Sequence, residues 1–171
     1  MNTNRTANFT KGVLILAALI ATILSGCSAG TSANQYDLMK LVDSEKLPAS
    51  ELDRITYSVR ESIERNHRWD TEWLVYWTNA EAEKICGTLG VDNLQVGESD
   101  VPLEPVDLQD VVMLTVKIEY HGYTESQFFE DTETGPIAKV VDAKLIYKNE
   151  SWEVKSSEEL PDGSPIDNCA P

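Results

Sequence analysis

The sequence predicts an α+β domain, with helices in its first half and an antiparallel sheet in its second. Three observations carry this. Leu52, Ile55, Val59 and Ile63 recur every three or four positions, which is the single apolar stripe of an amphipathic helix. From Val111 the period switches to two: Leu114, Val116, Ile118 and Tyr120 alternate with Thr115, Lys117, Glu119 and His121, the pattern of a strand with one wet face. Val141, Ala143, Leu145 and Tyr147 alternate again, just before Trp152 and Val154. Helices followed by a run of strands define the class.

Taken in order, Tyr36 to Lys46 predicts a short helix with Leu38, Leu41 and Val42 on one side, ended by Pro48. Ser50 is the N-cap type for the striped helix, and Glu51 and Asp53 fall in its first turn, where carboxylates meet the positive end of the helix dipole. That helix fades near Asn66-His67. Asp70 is the next cap, with Trp69, Trp73, Tyr76 and Trp77 at helical spacing around it. Thr78-Asn79-Ala80-Glu81 matches a capping box and predicts a further helix to Cys86, stopped by Gly87. Thr88 to Asp110 reads as an acidic loop with a short strand near Asn93 to Val96.

In the sheet half, His121-Gly122 is a turn candidate, with Glu125 to Phe129 as the returning strand and Asp131 to Pro136 as a polar connection. The last hairpin has a register. A two-residue turn at Asn149-Glu150 pairs Tyr147 with Trp152 and Leu145 with Val154, leaving Lys148, Ser151 and Glu153 to water. A slip by one residue would reverse the faces.

The N-terminus carries the most specific signal. Arg5 and Lys11 precede an apolar run from Val13 to Leu24, and small residues follow, as in a secretory signal. The run is shorter than the ~20 residues of a membrane span. Leu24-Ser25-Gly26-Cys27 resembles the lipobox of bacterial lipoproteins. That resemblance implies a diacylglycerol on the Cys27 thiol and removal of the signal before it. Anchoring by two acyl chains is stable where one is marginal. The expected organisation is a signal over 1–26, a flexible tether over 27–35 and one domain over 36–171. The expected location is the outer face of the cell membrane, or the outer membrane if the host has two. The membrane is thus the one assigned partner, met through lipid at Cys27.

The order of elements, with Trp152-Glu153-Val154 closing after a polar turn, resembles the nuclear-transport-factor-2-like cone fold. It implies N-terminal helices packed on a curved antiparallel sheet. A cystatin-like sheet around one helix fits nearly as well. Neither resemblance assigns a catalytic residue.

The chain of 171 residues has a formal net charge of −15, more negative still once Arg5 and Lys11 leave with the signal. Such a body argues against nucleic acid, which rewards basic patches. With Cys27 assigned to lipid, Cys86 and Cys169 are an even pair in an exported chain, where disulfides persist. They are expected to bridge.

Trp69, Trp73 and Trp77 either line a ligand pocket, for a sugar or an acyl chain, or bury against the sheet as core. His67 and His121 stand apart from any Cys/His cluster, so no metal site is expected. His121 with Glu119 on one strand face is a conceivable catalytic pair, though the face is the wet one. Asp131-Thr132-Glu133-Thr134-Gly135 places oxygens at alternate positions without the rest of a calcium loop. No nucleophile or phosphate-loop motif is present, and no cofactor or catalytic residue is assigned. The leading expectation is a non-enzymatic binding or interaction domain on a lipid anchor. A pocket-bearing ligand binder or enzyme, and a structural envelope protein, are the alternatives.

Overall fold

The computed structural model describes residues 34–97, 102–130, 134–164 and 166. The lipobox with Cys27, Cys169 and residues 131–133 lie outside them.

Strand β1 (Asn34–Asp37) leads into helix α1 (Leu38–Asp43). Helices α2 (Ser50–Asn66) and α3 (Thr71–Asn79) follow, then strand β2 (Glu81–Val91). A short 3-10 turn at Leu108–Asp110 precedes β3 (Val111–Gly122). Helix α4 (Glu125–Phe129) and strands β4 (Ile137–Lys148) and β5 (Ser151–Glu159) complete the described order. The strands form one antiparallel sheet in the order β1-β2-β3-β4-β5. This is the α+β class read from the sequence.

The core lies between the helices and one sheet face. Ile55, Val59 and Ile63 bury one stripe of α2, as expected, each contributing ~1.5–3 kcal/mol of apolar transfer. Leu89, Val116, Ile118, Tyr120, Val141, Ala143 and Leu145 supply the sheet side. Register shifts at Ala82/Lys84, Gly90/Val91 and Lys144/Leu145 interrupt the ladders, and such irregularities bend and twist a strand.

The last hairpin has the expected register, Tyr147 opposite Trp152 and Leu145 opposite Val154. Asn149 and Glu150 both take positive φ, 51° and 60°, as a tight hairpin turn of the favoured hand requires. Trp152 is buried and Val154 packs partly against the core.

Five expectations are corrected. Residues 80–86 are not a helix. Asn79 closes α3 by tying it to the end of β3: its Oδ1 accepts from Tyr123 N at 2.7 Å and its Nδ2 donates to Tyr123 O at 3.1 Å. Ala80 is then extended, and Glu81–Val91 joins the β3 ladder. Tertiary pairing overrides the helix propensity of Ala, Glu and Lys. Glu125 to Phe129 is not a strand. Thr124 and Gln127 form a reciprocal capping box that starts a helix, while β3 runs on through His121-Gly122, with Gly122 opposite Ile137. Ser50 is not the cap of α2; Ala49 holds that place without a side-chain hydrogen bond. Asn34 and Gln35, expected in the tether, pair with Val91 and Gly90. The strand expected near Asn93 to Val96 shrinks to an isolated bridge between Val96 and Pro102.

Candidate functional site

A cleft of about 200 Å³ opens between α2 and the first residues of β2, lined by Asp53, Thr56, Tyr57, Arg60, Ala80, Ala82 and Tyr120. The helical side chains come from one flank of α2. Asp53, Thr56, Tyr57 and Arg60 are spaced by three, one and three, so they stack beside the buried stripe of Ile55 and Val59. The floor is Ala82 with its cross-strand partner Tyr120. Two alanines at this point leave the space that larger side chains would fill.

Most polar groups of the lining are already committed to the framework. The Tyr120 hydroxyl donates to Thr56 O at 2.6 Å, and burial pushes its pKa well up. Arg60 donates from Nη1 to Ala80 O at 2.9 Å, and its guanidinium lies 5.4 Å from the Tyr57 ring centroid. Tyr57 is 57% exposed at the mouth, and Asp53 is exposed beside it. What the cleft offers a visitor is ring and methyl surface beside the Arg60 guanidinium, with the Asp53 carboxylate at the rim. That is a surface for binding by shape and burial.

The three tryptophans do not converge. Trp69 precedes the Asp70 cap and is 86% exposed, with the Arg68 guanidinium 4.9 Å from its ring centroid. Trp73 is half-buried, edge-on to Tyr76 at 5.4 Å. Trp77 is fully buried and packs edge-on against Tyr76 and Tyr120 at 4.9 and 5.7 Å. None of the three lines the cleft. Tyr76 and Trp77 act as core, and the Tyr76 hydroxyl, its pKa raised by burial, donates to Tyr120 O at 2.9 Å.

Both histidines sit beside carboxylates. His67 Nε2 is 2.6 Å from Glu159 Oε1, with the ring near Trp73 and Trp77. His121 Nε2 is 2.9 Å from Glu119 Oε1, so the strand-face pair of the sequence does meet. Neither histidine lines the cleft. Among the described residues no group of three or more His, Cys, Asp or Glu is placed to hold a metal ion. Cys86 is half-buried on β2 and is not a free thiol; its expected partner Cys169 lies outside the described residues, as do Asp131 to Glu133 of the calcium-like loop.

Sequence reasoning missed Tyr57, Arg60 and Ala82. The α2 flank is visible in the helical spacing, but it reads as solvated surface. Only the strand at 81–91 gives it an opposing wall, and that stretch reads as helix. No family model, no curated protein and no solved structure matches this chain.

Proposed function

We propose that this chain is a lipid-anchored extracytoplasmic bacterial lipoprotein whose folded domain is a non-enzymatic binding module, with the cleft beneath α2 as its binding site. Leu24-Ser25-Gly26-Cys27 behind a basic, apolar leader supports the anchor. The observation that carries the binding reading is the cleft itself. Its hydroxyl and guanidinium are tied to backbone carbonyls of Thr56 and Ala80, while the Tyr57 ring and the Ala82 methyl stay open to a ligand. β1 begins at Asn34, opposite Val91, whereas the cleft lies at the Glu81 end of β2. A Cys86–Cys169 bridge belongs to the same proposal, since an exported domain keeps its disulfides.

Two measurements test the two halves. Cells fed a clickable fatty acid should label the wild type and not Cys27→Ala; equal label on both overturns the anchor. A photo-reactive phenylalanine derivative at position 57 should give a discrete adduct in cells, and the same group at Lys155, on the exposed far edge, should not. No adduct at 57, or equal adducts at both, overturns the cleft as the binding site.

A further inference from the structure

We propose that the cleft beneath α2 binds a small aliphatic zwitterion, an ω-amino acid whose carboxylate sits on Arg60, whose ammonium sits on Asp53 and whose apolar chain lies against Tyr57 and Ala82. This rests on the cleft being the binding site and names the class of ligand.

The cleft holds two opposite charges that the fold leaves unmatched. Arg54, Lys84, Lys139 and Lys155 each pair with an acid. Arg60 pairs with none among the described residues, although the chain has 29 acids against 14 lysines and arginines. Its Nη1 bond to Ala80 O uses one donor, and the Tyr57 ring covers the guanidinium at 5.4 Å. The remaining N–H groups of the fork match a carboxylate, which an arginine can hold by two parallel bonds. Asp53 belongs to the same lining and is exposed. Its backbone carbonyl accepts from Thr56 Oγ1 at 3.0 Å. Its carboxylate has no hydrogen-bond or ion-pair partner among the described residues.

Helix geometry holds these charges apart. Asp53 and Arg60 stand two turns apart on α2, ~10.5 Å along its axis and within about 20° of one line. Tyr57 lies between them along the helix, and Ala82 forms the floor. An ω-amino acid has the same layout, with opposite charges at the two ends of an apolar chain. The volume of about 200 Å³ falls below the ~300–1,000 Å³ of pockets for drug-sized ligands, which keeps the ligand small.

Net charge argues against the simpler ligands. A bare carboxylate would approach a chain of formal net charge −15 against its field. A bare amine would meet Asp53 and leave Arg60 unmatched. A zwitterion carries no net charge and sets each end against its opposite.

The test is calorimetric titration of the purified full chain in detergent with 6-aminohexanoate, hexanoate, hexylamine and norleucine. Hexanoate lacks the ammonium, hexylamine lacks the carboxylate, and norleucine is the isomer with both charges at one end. 6-Aminohexanoate should bind about tenfold or more tighter than each of the others, the span of roughly 1.4 kcal/mol. Its backbone amide shifts should move within 53–60 and 80–82 and stay fixed in β5. Asp53→Asn, an exposed change that does not depend on repacking, should bring 6-aminohexanoate down to the level of hexanoate without weakening hexanoate. Equal binding of the four probes, no binding of 6-aminohexanoate, or indifference to Asp53→Asn overturns the zwitterion. If the adduct at position 57 forms in cells while these arms fail, the cleft remains a binding site and the ligand class is wrong. If the adduct also fails, both fall.

Discussion

Trp152 shows how much rests on one side chain. It is 5% exposed, packs against Tyr147 at 5.2 Å, and its Nε1 donates to Glu51 Oε2 at 2.8 Å. Glu51 is itself buried and takes its second partner from Arg54 Nη1 at 2.7 Å, so the carboxylate is satisfied on both oxygens. That pairing, with the carboxylate hydrogen bond as the larger cause, also raises the Arg54 pKa. Trp152→Phe keeps much of the ring and removes the donor; the orphaned oxygen should cost ~1–3 kcal/mol. Trp152→Ala adds a cavity and should cost ~3–5 kcal/mol. Glu153→Ala, on the exposed face and paired with Lys155, should leave the urea midpoint where it is. Urea unfolding of the three variants checks the order. The inward face of Trp152 was legible from alternation alone. Its bond to Glu51 was not, because Glu51 reads as a first-turn acid on the wet side of a helix, and only the docking of α2 on β5 buries it.

At the scale of elements, β2 is where local and tertiary preferences part. Ala82, Glu83 and Lys84 suit a helix, and Gly87 suits a helix stop. In the sheet, Gly87 instead allows close approach of β3. A Cβ there would fall against the Thr115 carbonyl oxygen and lie 2.8 Å from Val116 Cγ1. Gly87→Ala should therefore destabilise by ~1–3 kcal/mol, the range for overpacking. A glycine at a helix stop in ordinary left-handed form would behave differently: there an alanine is strained by its own backbone, with no effect on a neighbouring strand. Amide exchange distinguishes the two, since loss of protection at both Gly87 and Thr115–Val116 in the variant belongs only to the paired strand. α4 teaches the converse. With His121-Gly122 read as a turn, Glu125 to Phe129 was expected as the returning strand; the capping bonds of Thr124 decide for helix.

At the scale of the molecule, the proposed bridge would join the middle of the sheet to the end of the chain. Cys86 lies on the outer face, in the row with Lys117 and Asp142. On that same face Val140 is buried at 8%; Ile166, near the chain end, is buried at 6%, and both lie apart from the main core. Apolar burial near the chain end, three residues before Cys169, is what an anchored tail requires. Thiol trapping of freshly isolated protein under denaturing conditions should find Cys86 and Cys169 blocked before reduction and reactive after it. Removing either cysteine should cost ~2–5 kcal/mol. Two reactive thiols before reduction would refute the bridge.

The sequence alone determined the class, the α2 stripe, the faces of β3 and the register of the last hairpin. Each depends on periodicity, which is a property of the chain read along itself. The tertiary structure decided what β2 is, where β3 ends, and that Asp53, Thr56, Tyr57 and Arg60 face a wall. The physical reason is common to all three. A strand is stabilised by hydrogen bonds to residues far away in sequence, and a cleft exists only between elements. Asn79 holding Tyr123, and Ala82 lying opposite Tyr120, are contacts that no local pattern around residues 78–87 encodes.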